Sequence, residues 1–241
     1  VITAVIVQAR VGSTRLPGKV LKPLAGHTVL EEVLHRCRAI PGADQVVCAI
    51  PDLAEDDILI PIAEKAGATV VRGSANDVLA RYRLAAEHVG ADIIMRVTSD
   101  CPLIDPGLCG EVLKLRAQRQ ADYACNNMPP SFPHGLDCEA FTFEALMRAD
   151  RATSKADDRE HVTPWLRKAH EIKRVSLQGP GGELAEQRWT LDYPEDYDFL
   201  FRLFALLPPP PAIPSWTEVA AMLDARPDIR AINARKRNIK A

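Results

Sequence analysis

Val1-Ile2-Thr3-Ala4-Val5-Ile6-Val7, running on into Gln8-Ala9-Arg10-Val11-Gly12-Ser13-Thr14-Arg15-Leu16-Pro17-Gly18-Lys19, is the stretch on which the fold turns. The opening run is apolar and rich in β-branched residues with no alternation. That is the pattern of a strand covered on both faces, as in a parallel sheet. Glycine and proline then punctuate a long loop from Gln8 to Gly26, which leaves the carboxyl end of the strand, the edge where parallel α/β sheets bind ligands. Arg10, Arg15 and Lys19 lie in it with Gly12 and Gly18 between them. Glycines let backbone N–H groups turn inward as an anion nest, lysine adds a point charge, and arginine adds a planar fork for phosphate oxygens. The combination suits a triphosphate. It is neither the Walker spacing G-x-x-x-x-G-K-[ST] nor the dinucleotide fingerprint G-x-G-x-x-G.

Outward from this stretch, strand and helix signals alternate. Thr28 caps a helix to about Ala39, with Val29, Leu30, Val33, Leu34 and Cys37 on one face. Strands are expected at 45–50, 69–71 and 92–97, and helices at 55–66 (kinked or broken at Pro61), 77–88 and 106–119. This rhythm implies a mostly parallel, twisted α/β sheet with helices on both faces. After Gln120 it changes. Residues 123–127 read as extended, 128–135 as a breaker-rich loop, 138–143 as a strand, 143–150 and 161–169 as helices, and 171–177 and 188–191 as strands. A helix at 197–207 leads through four prolines, 208–211, to a last helix at 215–225.

Composition excludes several classes. The 241 residues are 47% hydrophobic and 26% charged, as in an ordinary globular chain. Net charge is −2, without the basic excess of a protein that wraps nucleic acid. The basic run Arg235-Lys236-Arg237 is read as a solvated end, with an anion-contacting arm as the sharper alternative. Six cysteines, at 37, 48, 101, 109, 125 and 138, form no C-x-x-C pair and sit in apolar runs, so reduced core thiols are expected. No apolar run reaches the length of a membrane span. Ile2–Val7 is too short for the core of a secretory signal, and a cytoplasmic location is expected.

The loop Gln8 to Lys19, continued by Lys22-Pro23-Leu24, closely resembles the signature loop of the cytidylyltransferase family. That family includes the CMP-KDO synthetases and the SpsF-like branch of spore-coat polysaccharide biosynthesis. The likeness to the SpsF-like branch extends through Arg72-Gly73-Ser74-Ala75-Asn76-Asp77-Val78-Leu79-Ala80-Arg81-Tyr82, Arg96-Val97-Thr98-Ser99-Asp100-Cys101-Pro102-Leu103-Ile104-Asp105, Gly135-Leu136-Asp137-Cys138-Glu139, Arg159-Glu160-His161-Val162-Thr163-Pro164 and Leu191-Asp192-Tyr193-Pro194-Glu195-Asp196. The resemblance implies one nucleotidyltransferase domain over residues 1–241, with the nucleotide-diphospho-sugar transferase (GT-A type) fold. It also implies CTP and Mg²⁺ as ligands, a sugar acceptor (acidic in the CMP-sugar synthetases, with a non-acidic or phosphonate-like acceptor left open by the two carboxylates in 134–139), and a homodimer.

Site residues are expected accordingly. Gln8, Ala9, Arg10, Gly12, Ser13 and Lys19 in the loop, with Thr98, would contact the nucleotide, and Arg10, Arg15 and Lys19 would act in catalysis. The resemblance places Ser74, Asp77 and Arg81 beside base and ribose, although Asp77 and Arg81, at i and i+4, could simply pair on a helix. Asp100 and Asp192 each follow a strand, where an unpaired carboxylate is costly and a cation offsets that cost. The resemblance makes both magnesium ligands, with Asp196 and Asp198 as alternatives to Asp192. An N-cap is the plainer role for Asp100, one that Asp105-Pro106 would fill better. His134, Asp137, Glu139, Arg159, Glu160 and His161 are candidates for the acceptor, and a His or carboxylate there could take its proton. The 158–160 run could instead serve only as the charged start of a helix. The expected reaction is in-line attack of an acceptor hydroxyl on the α-phosphorus with release of pyrophosphate, giving a CMP-sugar for surface polysaccharide. The rivals are a GT-A glycosyltransferase, disfavoured because Ser99-Asp100-Cys101 is not Asp-x-Asp, and a non-catalytic nucleotide-binding subunit.

Overall fold

A computed structural model describes residues 1–235. Strand β1 (Thr3–Gln8) leads through the loop into a 3₁₀ turn (Lys19–Leu21) and a short hairpin, β2 (Pro23–Leu24) and β3 (His27–Thr28). Then follow α1 (Val29–Arg38), β4 (Gln45–Pro51), a 3₁₀ turn (Ala54–Asp56), α2 (Leu59–Lys65), β5 (Thr69–Gly73), α3 (Val78–Val89), β6 (Ile93–Thr98) and α4 (Pro106–Arg119). The remainder is β7 (Tyr123–Cys125), β8 (Glu139–Thr142), α5 (Phe143–Ala152), α6 (Ala156–His161), β9 (Arg174–Ser176), α7 (Gly182–Ala185), α8 (Pro194–Phe204), α9 (Trp216–Asp224) and α10 (Pro227–Arg230).

Seven strands form one sheet in the order β5-β4-β1-β6-β8-β7-β9, in which β8 is antiparallel to both of its neighbours. The pairings β5-β4, β4-β1, β1-β6 and β7-β9 are parallel. From β1 the chain crosses to β4 and β5 on one side, then returns to place β6 on the other. The reversal opens a crevice at the carboxyl ends of β1 and β6, the position where open α/β sheets hold ligands. Gln8 is paired with Thr98 at that edge.

Alternation along β1 distributes the core. Val5, Val7 and Ala9 pack with Leu30, Val33, Leu34 and Cys37 of α1 and with α2 and α4. Ala4 and Ile6 pack with Leu79, Tyr82, Ala85 and Ala86 of α3 and with α5. A third cluster joins Leu16, Leu24, Trp189 and Leu191 to α8, α9 and α10. It fixes the C-terminal helices against the segments that carry the loop and Asp192.

Thr28 caps α1 through a reciprocal capping box with Glu31. Asp105 caps α4, accepting from the Leu108 N–H at 2.6 Å with Pro106 first in the helix. All six cysteines are buried. No helix among the described residues is long and apolar enough to cross a membrane.

Several expectations are corrected. The helix expected at 161–169 is instead α6, which ends at His161. Val162 turns out of it at φ 69°, and Pro164 disfavours helical backbone at Thr163. Residues 188–191 form no strand. Arg188 makes an isolated bridge to His134, and Leu191 bonds singly to the Asp100 carbonyl at 2.9 Å. The helix at 55–66 begins at Leu59, which puts Pro61 in its first turn, where a missing N–H costs nothing. The 171–177 strand shortens to β9, and α8 starts three residues early, at Pro194. The basic run beyond Arg235 lies outside the described residues.

Candidate active site

The loop after β1 is closed by its own backbone. The Gly18 N–H donates to the Val11 carbonyl at 3.2 Å, and Gly18 adopts φ 64°, a conformation glycine takes without strain. The Val11 N–H donates to Asp56 at 2.6 Å, from the turn after β4. Asp56 is buried, and its second oxygen has no hydrogen-bond partner. It anchors the loop from below and was not singled out from the sequence, although it stands in the acidic run after β4.

Closing the loop aims Lys19 into the crevice. Its ammonium donates to Asp100 at 2.8 Å, to Asp192 Oδ1 at 3.0 Å and to the Leu191 carbonyl at 2.9 Å. The same Asp192 oxygen accepts from Arg15 at 2.7 Å. Two loop cations and two carboxylates from distant segments therefore meet within hydrogen-bond distance. The Asp100 carbonyl holds the arrangement by accepting from the Thr190 hydroxyl at 3.0 Å and the Leu191 N–H at 2.9 Å.

Burial disfavours charge on Lys19, yet Asp100 and Asp192 outweigh it and raise the ammonium above its ordinary pKa. Burial likewise opposes the Asp192 carboxylate, but Lys19, Arg188 and Arg15 prevail and hold it down to about 2. Asp100 is lowered against burial by Lys19 and by hydrogen bonds from Lys19 and Thr98. Both carboxylates are ionised and Lys19 is charged at neutral pH.

Asp196 and Asp198 are engaged elsewhere. Asp196 is fully buried, accepting from Arg188 at 2.9 Å and from the Asp192 and Tyr193 N–H groups at 2.9 and 3.0 Å. Asp198 pairs with Arg202 on the surface of α8 at 2.9 Å. Asp192 is the one of the three that faces Lys19.

The other nucleotide candidates ring the same sheet edge. Gln8 ends β1 with a buried, unpartnered Oε1, and Ala9 is buried with its N–H on the Ala49 carbonyl at 3.1 Å. Arg10 and Gly12 are exposed, and Ser13 accepts the Leu16 N–H at 3.4 Å. Ser74 accepts from the Asp77 N–H at 3.1 Å, and its carbonyl accepts from Arg81 at 2.7 Å. Arg81 is buried with Nε unpartnered; burial and the nearby Arg10 lower its pKa. Asp77 does not pair with Arg81. It caps α3 and binds Arg159 through both oxygens, at 2.9 and 2.5 Å.

The acceptor candidates separate into three environments. His134 Nδ1 lies 2.9 Å from Asp137, which also accepts from Asn127 at 3.1 Å and from the Gly135 N–H at 3.0 Å. Burial opposes the Asp137 charge, but the His134 hydrogen bond helps bring its pKa below the ordinary value. This pair adjoins the Lys19 cluster, because the Trp189 N–H donates to the His134 carbonyl at 2.6 Å. Gly135, at φ 112°, packs so closely that a Cβ would fall 2.6 Å from the Trp189 carbonyl. Glu139 is buried, bound to Arg96 at 2.6 Å, to the Thr163 hydroxyl at 2.8 Å and to the Tyr123 hydroxyl. Arg159 ties α6 to Asp77 and to Asp150 at 2.8 Å. Glu160 and His161 are exposed at the end of α6, and among the described residues they share no hydrogen bond with His134 or Asp137. Sequence reading also passed over Arg188, Asn127 and Arg167; Arg167 reaches the Asn127 carbonyl at 3.3 Å.

Residues 4–204 match the cytidylyltransferase family. The chain is 34% identical over 230 residues to the spore coat polysaccharide biosynthesis protein SpsF of Bacillus subtilis (strain 168), covering 92% of this chain and 94% of that protein. A cytidylyltransferase structure from Leptospira borgpetersenii superposes with a TM-score of 0.90 at 30% identity, over 99% of both chains. The structure of CMP:2-keto-3-deoxy-manno-octonic acid synthetase complexed with CTP shares the fold, with a TM-score of 0.65 at 16% identity over 85% of this chain and 99% of that one.

Proposed function

The chain belongs to the cytidylyltransferase family, and from that premise we propose that it transfers CMP from CTP to a sugar hydroxyl and releases pyrophosphate, with an acidic sugar as the acceptor class. The observation that carries this reading is the Lys19 ammonium, bound at once to Asp100 and Asp192 in the crevice between β1 and β6. A structural neighbour, CMP:2-keto-3-deoxy-manno-octonic acid synthetase, is complexed with CTP. A surface-polysaccharide role is the chemistry named by the SpsF relative.

In this reading the triphosphate lies along the loop, where Lys19 and Arg15 offset charge on the α-phosphate and on departing pyrophosphate. Asp137 accepts from His134 Nδ1 and orients the ring, and His134 Nε2 is the candidate to take the proton of the attacking hydroxyl. Asp100 and Asp192 would hold Mg²⁺. Both supply carboxylate oxygens, the donor type a hard ion such as Mg²⁺ takes, and they come close enough to share the Lys19 ammonium. When bound, Mg²⁺ supplies charge stabilisation on the phosphates.

Thermal denaturation with Mg²⁺ and each common nucleoside triphosphate tests the proposal without an acceptor. Ligand at 100 times its Kd adds about 2.7 kcal/mol of stability. The expected result is a shift with CTP that disappears in Lys19→Ala, followed by pyrophosphate release in a screen of acidic sugars. A shift with nucleotide diphosphate sugars and none with any triphosphate would overturn it.

A further inference from the structure

Asp192 presents its two oxygens to two different environments. Oδ1 faces the crevice, where Arg15 and Lys19 reach it at 2.7 and 3.0 Å. Oδ2 accepts from Arg188 at 2.8 Å. The Arg188 side chain is almost wholly buried, and its Nε binds both oxygens of Asp196 at 2.9 and 3.1 Å. Asp196 in turn accepts from the backbone N–H of Asp192 itself, at 2.9 Å. The circuit therefore fixes both the side chain and the main chain of Asp192.

The circuit is closed by a residue from the far end of the described chain. Asn233, buried beyond α10, donates from its side-chain amide to the Arg188 carbonyl at 2.9 Å and to Asp196 Oδ1 at 3.0 Å. Its two N–H groups bind the backbone of Arg188 and the carboxylate that holds the Arg188 guanidinium. Guanidinium rotation would break the Arg188 bonds to Asp192 Oδ2 and to both Asp196 oxygens at once, so the three side chains hold one another in place.

We propose that Asn233 is a positioning residue that, through Arg188 and Asp196, locks the Asp192 carboxylate with Oδ1 turned to the crevice, so that the C-terminal segment sets the geometry of the metal–nucleotide site. The inference rests on Asp192 being a metal ligand, as proposed above. Partners of this kind behind a ligand change metal affinity about 10- to 100-fold when removed.

The experiment measures the Kd of Mn²⁺–CTP for the full chain by water-proton relaxation enhancement, with no acceptor present. CTP affinity in EDTA and thermal unfolding are followed alongside. Asn233→Ala and the similarly sized, uncharged Asn233→Leu, both without the amide N–H donors, are expected to weaken Mn²⁺–CTP about 10-fold and to leave metal-free CTP affinity within about twofold. Arg188→Lys, which keeps the charge and loses the fork, is expected to do the same and serves if the Asn233 variants do not fold. Asp192→Asn separates the two ideas. If it leaves Mn²⁺–CTP affinity unchanged, the ligand reading fails and this inference falls with it. If Asp192→Asn weakens binding while folded Asn233 or Arg188 variants bind as wild type, the positioning role alone is overturned.

Discussion

Two clusters of opposite charge sit in this molecule, and their chemistry is nearly the same. Lys19 and Arg15 meet Asp100 and Asp192 in the crevice; Arg96 meets Glu139 beneath α3 and α5. They differ in access to water. In the crevice Arg15 and Asp100 keep 54% and 25% side-chain exposure and Lys19 and Asp192 keep 13% and 14%, whereas Glu139 keeps 3% and has Arg96, Thr163 and Tyr123 as partners. An ion pair at an open edge can exchange its partners for a ligand with little loss, while a buried pair cannot give up either member. The open cluster is therefore suited to binding and the closed one to holding the sheet and the 162–168 turn together.

The largest effect expected from breaking this contrast is on turnover. Lys19→Ala removes the cation shared by both crevice carboxylates and should lower kcat for pyrophosphate release by about 10²-fold or more, as for loss of one electrostatic stabiliser. Its fold should persist, because Asp192 keeps Arg15 and Arg188 as partners and the Asp100 side chain keeps a quarter of its surface exposed. A loss of less than tenfold would remove Lys19 from the chemistry.

The closed cluster should respond the other way. Glu139→Gln leaves the Arg96 guanidinium buried without its counter-charge, at a cost of about 3 kcal/mol. In a chain of this size that lowers Tm by roughly 6–12 °C. At temperatures where the variant is folded, CTP affinity should stay close to wild type. Unchanged Tm with lost CTP affinity would place Glu139 in the ligand site and erase the distinction.

The same contrast explains what could be read in advance. Lys19 and Arg15 lie in one contiguous loop after an unmistakable strand, so local pattern was enough to aim them at the carboxyl edge of the sheet. Asp100 follows the apolar run 93–97, whereas Asp192 was pointed to by the family resemblance, because Arg188-Trp189-Thr190-Leu191 before it is neither apolar throughout nor a strand. The partners of Glu139 and Arg159 were not legible, because a charged residue in a motif gives no sign of its burial. Only the tertiary structure shows Glu139 spent on Arg96 and Arg159 spent on Asp77. Asp56, Arg188 and Asn233 carry no local signal at all. Their roles come from hydrogen bonds to partners 45, 4 and 45 residues away, and the one short separation, Arg188 to Asp192, lies in a segment misread as a strand, whose alternation would have told nothing of the contact.

The smallest effect, on stability against pH, sharpens the description of the open cluster. Lys19, Arg188 and Arg15 hold the Asp192 carboxyl down to about 2, below the ordinary 3.8, despite the opposing effect of burial. A carboxyl lowered on folding contributes stability that is fully present above its unfolded pKa and is lost as pH falls through the folded value. The difference in denaturation midpoint between wild type and Asp192→Asn, without nucleotide or metal, should therefore be widest above about pH 4 and narrow toward pH 2. Salt should shrink it modestly, because Arg15 on its open side is screened while Arg188 behind it is not. A gap that stays constant from pH 7 to about pH 2 would mean that Asp192 gains nothing from its three cations on folding. The crevice would then hold its charges apart until a ligand arrives, and the contrast with the Arg96–Glu139 pair would lie in partnership itself rather than in access to water.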